Sequence, residues 1–249
     1  HELNPHLWHD ATYGRRVVES FEETQQGESD AYSEATEQPH LQALDRISAQ
    51  QYLERMRTHG CLAGPECRVV DLCCGPGNII AKIIEEATFR ERRTLRFLGI
   101  DVNDDELRKA RESFIAQSSV ALEKGNVLAL GEVPPADIVI CNTSLHEFEA
   151  PHRLLRVARS LAKKLVLVKD LHRPPVTEFW TTVRVHGQHY RGRMFQLFCH
   201  SLKSSLSPKE MQVLALREDF TYEDCPPIYG MLTWVARKGQ GQRRTRRAS

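Results

Sequence analysis

Arg68-Val69-Val70-Asp71-Leu72-Cys73-Cys74-Gly75-Pro76-Gly77-Asn78 is the stretch whose reading decides the fold. Val69, Val70 and Leu72 make a short apolar run of the kind that is buried on both faces of a parallel sheet, and Asp71 and the glycines stop it. From Asn78 the pattern turns helical. Ile79, Ile80, Ile83 and Ile84 recur on one helix face, and Asn78 stands where a residue caps the first turn. A strand, a tight glycine turn and a helix N-terminus in that order bring unpaired amides and the positive end of the helix to one point, a nucleotide-type site.

Spacing decides which nucleotide. If Gly75 and Gly77 open a Gly-x-Gly-x-x-Gly/Ala fingerprint, its third position is Ile80, which counts against NAD. No phosphate loop ending in Gly-Lys-Ser/Thr is present, which counts against ATP and GTP. Asp71-Leu72-Cys73-Cys74-Gly75-Pro76-Gly77 instead resembles motif I of the class I S-adenosylmethionine-dependent methyltransferases, usually Asp/Glu-x-Gly-x-Gly-x-Gly. Cys73 stands in the place of the first glycine, where its side chain is expected to forbid an easy positive φ.

Further along the chain the resemblance continues through about Asp170. Gly99-Ile100-Asp101-Val102 is similar to the family's second motif, and Gly125-Asn126-Val127 to its Gly-Asp-x loop, with Asn126 in place of the usual Asp. Asp101 follows Gly77 by about two dozen residues, the interval expected for a second-strand carboxylate that takes a ribose diol. Ala136 to Phe148 is similar to the fourth-strand motif of small-molecule methyltransferases of the quinone-biosynthesis type. The resemblance implies S-adenosyl-L-methionine as cofactor and S-adenosyl-L-homocysteine as product. It implies that Asp71, Cys73, Gly75 and Gly77 lie along the methionine end, that Asp101 holds the ribose, and that Val102 and Val127 sandwich the adenine. Asn126 would then meet the adenine edge through its amide oxygen. The methyl group would point past Asn142 toward the acceptor.

Methyl transfer from a sulfonium is an in-line displacement, so the protein mainly aligns the partners and excludes water. Where the acceptor must lose a proton, His146 is the expected base, because its unperturbed pKa lies near 6.5 and the loop after the fourth strand faces the crevice. Glu147 is the next candidate. A histidine that only hydrogen-bonds backbone and shapes the pocket is the competing reading of His146. The Asn/Asp-Pro-Pro-Tyr/Phe motif common to methyltransferases of amides and exocyclic amines is missing, since Cys141-Asn142-Thr143-Ser144 occupies its place. A small-molecule acceptor methylated on oxygen or carbon is therefore favoured.

Composition bounds these readings. At 249 residues with 41% apolar content the chain has room for one α/β domain with additions. A formal charge of +1 gives no overall case for nucleic acid as partner. Charge is uneven locally: Glu19, Glu22, Glu23, Glu28, Asp30, Glu34 and Glu37 form an acidic run, and Arg243, Arg244, Arg246 and Arg247 a basic tail, both readable as solvated ends. The seven cysteines include no C-x-x-C pair, which suggests a reducing compartment. No apolar run approaches the roughly 18 to 20 residues of a membrane span, and no signal peptide opens the sequence, so a cytoplasmic location is expected. His1 rather than Met at the start suggests a fragment or a processed product. His186 and His189 have an H-x-x-H spacing but no clear third ligand, so no metal is expected.

The alternation of strands and helices predicts a doubly wound, mostly parallel, seven-stranded Rossmann-like sheet with helices on both faces. Strands are expected at Val69–Leu72, Thr94–Asp101, Val120–Val127, Ala136–Asn142, Leu165–Asp170 and Ile228–Ala236. Residues 1–40 read as an N-terminal arm or lid carrying Trp8, Tyr13, Phe21 and Tyr32, residues 41–238 as the cofactor-binding domain, and 239–249 as a disordered basic tail. A helical insertion is expected at about 174–218, with helices near Arg193–Leu202 and Ser207–Arg217. Its aromatics could enclose an acceptor or form a second small core. Two rivals remain at this stage: an RNA methyltransferase using the basic tail, and a catalytically silent methyltransferase-like interaction module, given Cys73 and Asn126.

Overall fold

Short β-branched runs that lack polar alternation form strands buried on both faces, and here they assemble a single seven-stranded sheet. The computed structural model describes residues 12–18 and 38–237. Trp8, Phe21 and Tyr32, the acidic run and the basic tail lie outside the described residues. The strands are β1 (Cys67–Leu72), β2 (Leu95–Asp101), β3 (Val120–Lys124), β4 (Ala136–Asn142), β5 (Ala162–Leu171), β6 (Thr221–Cys225) and β7 (Tyr229–Val235). Their order is β3-β2-β1-β4-β5-β7-β6, with β7 antiparallel to both neighbours. β1 lies between β2 and β4, so the strand order reverses beside the glycine turn, the topological switch point where open α/β sheets bind ligands.

Helices cover both faces: α1 (Pro39–Thr58), α2 (Asn78–Glu86), α3 (Phe89–Thr94), α4 (Asp104–Ser113), α5 (Pro151–Leu161), α6 (Phe179–His186), α7 (Gly192–Ser204) and α8 (Pro208–Glu218). Successive residues of β1 point to opposite faces. Val69 joins Tyr52, Leu53 and Met56 of α1, Ile80 and Ile83 of α2 and Leu107 of α4 in one core. Val70 and Leu72 join Leu154 and Leu155 of α5 and Met211 and Leu214 of α8 in the other. A third, smaller cluster gathers Val183, Tyr190, Phe198 and Leu202 from α6, α7 and their connection, with Phe179 and Phe195 packed against it. These aromatics therefore serve a small core, whereas Trp180 remains 69% exposed.

Local signals explain the helix starts. Asn103 accepts from the amides of Asp105 and Glu106, and Ser207 forms a capping box with Glu210 ahead of Pro208. At α2 the expectation needs correcting: Gly77 occupies the cap position with φ 81°, and Asn78 is the first helical residue. Strand β6 carried no readable signal because Thr221-Tyr222-Glu223-Asp224-Cys225 is a mostly exposed edge with only Cys225 buried. Helix α3, Phe89-Arg90-Glu91-Arg92-Arg93-Thr94, buries none of its residues and is held by its Thr88 capping box.

Candidate active site

The turns leaving β1 to β4 surround a cleft of about 390 Å³ at the C-terminal edge of the sheet. Of the residues singled out from the sequence, Asp71, Cys73, Gly75, Asp101, Val102, Asn126, Val127 and Asn142 line it, and Gly77 and His146 do not. Cys73 overturns the expectation placed on it. Its φ is 61°, in the left-handed region that costs a residue with a Cβ about 1–2 kcal/mol. Packing against the second core, of which Cys141 is a member, holds it there. Across the cleft Thr143, a β-branched residue, has φ 56°. Its amide donates to the Lys169 carbonyl at 2.7 Å, and its hydroxyl accepts from Asn142 Nδ2 at 3.0 Å. Strained backbone of this kind persists where the surroundings over-determine it, and it clusters at working sites.

Asp101 ties two turns together. Its Oδ2 accepts from the Gly75 amide and its Oδ1 from the Asn103 amide, both at 2.8 Å, while burial pushes its carboxyl above the usual range. Asp71 is only 2% exposed, and its Oδ1 meets no hydrogen-bond partner among the described residues. Burial and the neighbouring Asp101 charge raise its pKa well above the ordinary aspartate value. Asn126 Oδ1 accepts from the Leu128 amide at 2.9 Å, which fixes the loop beside the half-exposed Val102 and the buried Val127. Asn142 Oδ1 accepts from the Tyr52 hydroxyl at 3.1 Å, so α1 sets the orientation of the β4 exit.

Gly77 has a different neighbour. A Cβ there would lie 2.4 Å from Phe114 Cε2, so the glycine makes room for the residue that follows α4.

His146 is 3% exposed, and its ring meets Asp170 rather than the cleft: Nδ1 lies 2.7 Å from Asp170 Oδ1, and its amide donates to Asp170 Oδ2 at 2.6 Å. The Arg16 guanidinium crosses the same loop and donates to the carbonyls of His146 and Phe148, each at 2.7 Å. Arg173, paired with Glu210 at 2.8 Å, also donates to the Tyr13 carbonyl. Residues 12–18 are thereby strapped to the loop that carries Ser144, Glu147 and Phe148 into the cleft.

Sequence reasoning missed Asp45, which lines the cleft from α1, and Lys169, which donates to Ser48 Oγ at 2.8 Å and lies 4.6 Å from the Tyr229 ring centroid. The available signal was the spacing of Asp45, Ser48 and Tyr52, polar groups on one face of an otherwise apolar helix stripe.

Charge completes the description. Asp45, Asp71, Asp101, Glu106 and Glu147 line the cleft, and among the described residues no Lys or Arg does. Such a wall favours a ligand bearing positive charge. Among the described residues no group of three or more His, Cys, Asp or Glu is placed to hold a metal ion, and no helix is long and apolar enough to cross a membrane.

Comparison with known proteins agrees with this description. A family model described as a methyltransferase domain matches residues 63–186, about half the chain. Trans-aconitate 2-methyltransferase of Methylobacterium nodulans is 38% identical over 108 residues, covering 41% of this chain and 36% of that protein, so the match spans about a third of the relative's length. The plantazolicin methyltransferase BpumL, solved with a triazolic substrate analogue and S-adenosylhomocysteine (SAH), superposes with a TM-score of 0.66 at 14% identity, covering 86% of this chain and 93% of that one. Magnesium protoporphyrin IX methyltransferase from Synechocystis PCC 6803 with bound SAH gives a TM-score of 0.54 at 15% identity, covering 77% and 83%. S-adenosylmethionine carries a sulfonium and an ammonium, and an acidic cleft with the buried, unpaired oxygen of Asp71 in its wall suits both charges. With motif, sheet order and family match in agreement, the chain belongs to the class I S-adenosylmethionine-dependent methyltransferases.

Proposed function

We propose that this chain methylates a small-molecule acceptor, on oxygen or carbon, within the cleft at the C-terminal edge of its sheet. When bound, S-adenosylmethionine supplies an electrophilic methyl group, and the chain's own residues bind, orient and exclude water. Asp101 is assigned to the ribose hydroxyls, because its oxygens, which accept from the Gly75 and Asn103 amides, line the cleft and a carboxylate has about four lone-pair sites. Val102 and Val127 are assigned to the adenine faces, with Asn126 at the adenine edge. Asp71 is assigned to the methionine ammonium and Asn142 to the methyl end, while Cys73 and Gly75 shape the floor between them. His146 is assigned the structural of its two readings, a brace for the loop after Asn142. That the relative named for trans-aconitate and the neighbours named for plantazolicin and magnesium protoporphyrin IX are methyltransferases supports an acceptor smaller than a nucleic acid.

Asp71 carries this reading: a carboxylate 2% exposed, with an oxygen that has no partner among the described residues, is costly unless a cationic ligand satisfies it. Calorimetry with S-adenosylmethionine and S-adenosylhomocysteine tests it. One-to-one binding that weakens at least about tenfold in Asp71→Asn is expected. Absence of binding by the wild-type protein would refute the reading and leave a silent module of the same fold. We also propose the division into an arm at residues 1–40, a catalytic domain at 41–238 with helices added within 174–218, and a tail at 239–249, located in the cytoplasm.

A further inference from the structure

The cleft has two ends, and the proposed function uses only one of them fully. Val102, Asn126 and Val127 stand at the β2 and β3 side. At the other side α1 crosses the tips of β4 and β5: Tyr52 donates to the Cys141 carbonyl and to Asn142, and Ser48 accepts from Lys169. Asp45 lies on the same helix face two turns before Tyr52, about 10 Å further along the axis, and its side chain lines the cleft. No hydrogen-bond donor among the described residues reaches its carboxylate. The nearby cations are committed elsewhere: Lys169 to Ser48 and the Tyr229 ring, Lys82 to Glu85, Arg16 to three carbonyls and Arg173 to Glu210. Glu147, on the facing loop, is acidic too. Burial pushes the Asp45 carboxyl up to about 6, against the pull of Lys82 and Lys169, a value suited to taking a proton near neutrality.

We infer that Asp45 is the acceptor-side carboxylate: it faces the atom that receives the methyl group, takes the proton that atom loses, and disfavours acceptors that carry negative charge. This rests on the methyltransferase reading above. For a hydroxyl acceptor, the O–H proton passes to Asp45 and the oxygen lone pair forms the new O–C bond. The C–S bond breaks with its electron pair going to sulfur, the sulfonium becomes a neutral thioether, and Asp45 later releases its proton to water. An acceptor carrying a carboxylate beside its reacting atom would bring a second negative charge against Asp45, so the polyanion named for the curated relative is a poor model for this chain's acceptor.

The test needs no knowledge of the acceptor. Sinefungin, in which a carbon bearing a protonated amine replaces the methylated sulfur, places a positive charge where the methyl group leaves, whereas S-adenosylhomocysteine is neutral there. Calorimetry on the full chain should show sinefungin bound about tenfold or more tighter than S-adenosylhomocysteine, with the preference falling to about threefold or less in Asp45→Asn. Glu147→Gln should keep most of it. A wild-type preference below about threefold, or one that survives Asp45→Asn, overturns the assignment, as does a preference abolished by Glu147→Gln alone. If the wild-type protein binds neither ligand, the cofactor reading itself fails and takes this inference with it.

Discussion

Gly77 offers the sharpest test of how the glycine turn is built, because its two burdens can be separated. Its φ of 81° costs an L-residue about 1–2 kcal/mol, and the Cβ of an alanine would stand 2.4 Å from Phe114 Cε2 and 3.2 Å from Cζ. Phe114 is 8% exposed in the core formed with Leu107 and Ala110, so it has little room to withdraw, and overpacking of this kind costs about 1–3 kcal/mol. Gly77→Ala should therefore lose about 2–5 kcal/mol of stability. Gly75→Ala, where φ is 51° and a Cβ would meet nothing within 4 Å, should lose only the backbone share, about 1–2 kcal/mol. The assay is urea unfolding of both single variants, of Phe114→Leu and of the Gly77→Ala/Phe114→Leu double variant, compared at constant m. The leucine lacks the ring edge, so the double variant should recover about 1–3 kcal/mol relative to additivity. A coupling energy within about 0.5 kcal/mol of zero, or a Gly77→Ala no less stable than Gly75→Ala, would refute the steric argument.

Other expectations follow from the same contacts. His146→Ala removes a ring buried against Asp170 and should destabilise the fold by about 1–3 kcal/mol while leaving cofactor affinity within about threefold; an undiminished midpoint in urea would mean the ring is not a brace. Asp101→Ala leaves the Gly75 and Asn103 amides without their acceptor and should weaken S-adenosylmethionine binding by about 1.5–3 kcal/mol, so an unchanged Kd in the folded variant would remove Asp101 from the site. The Asp45 carboxyl, raised from 3.8 to about 6, binds more protons in the folded state than in the unfolded state between those values, so wild-type stability should fall as pH rises through that window. Asp45→Asn should abolish that part of the slope, and parallel pH profiles for the two proteins would show that the shift is not there.

Legibility in the sequence followed contact range. Val69, Val70 and Leu72 announced a buried strand, and Ser207 announced a helix start, because each signal sits within a few residues of the structure it controls. The side of the cleft built by β1 and β2 was legible for the same reason: strand, turn and helix start are contiguous, and Asp101 ends the next strand. Cys73 was misread because its φ goes with tertiary packing against the second core, whose members include Cys141, 68 positions along the chain. His146 looked cleft-facing from its place after β4, yet Asp170 at the end of β5 turns the ring inward. The edge strand β6 escaped notice because an exposed edge needs no apolar run.

The α1 side of the cleft was hardest to read, and its construction explains why. Asp45, Ser48 and Tyr52 belong to a helix that precedes the glycine turn, and each acquires meaning only through a group far along the chain: the cleft wall, Lys169 or Asn142. The carboxylate of Asp101 is fixed by two amides, whereas Asp45 meets no donor among the described residues and is positioned by the packing of α1 against α2. On the assignments proposed above, substitutions on one face of α1 change what the cleft admits while the Asp101 contacts stay constant. Exchanging Asp45 for lysine, rather than asparagine, would place a cation among Asp71, Asp101 and Glu147. The same geometry requires that it invert the charge preference at the methyl end while leaving the Asp101 contacts intact.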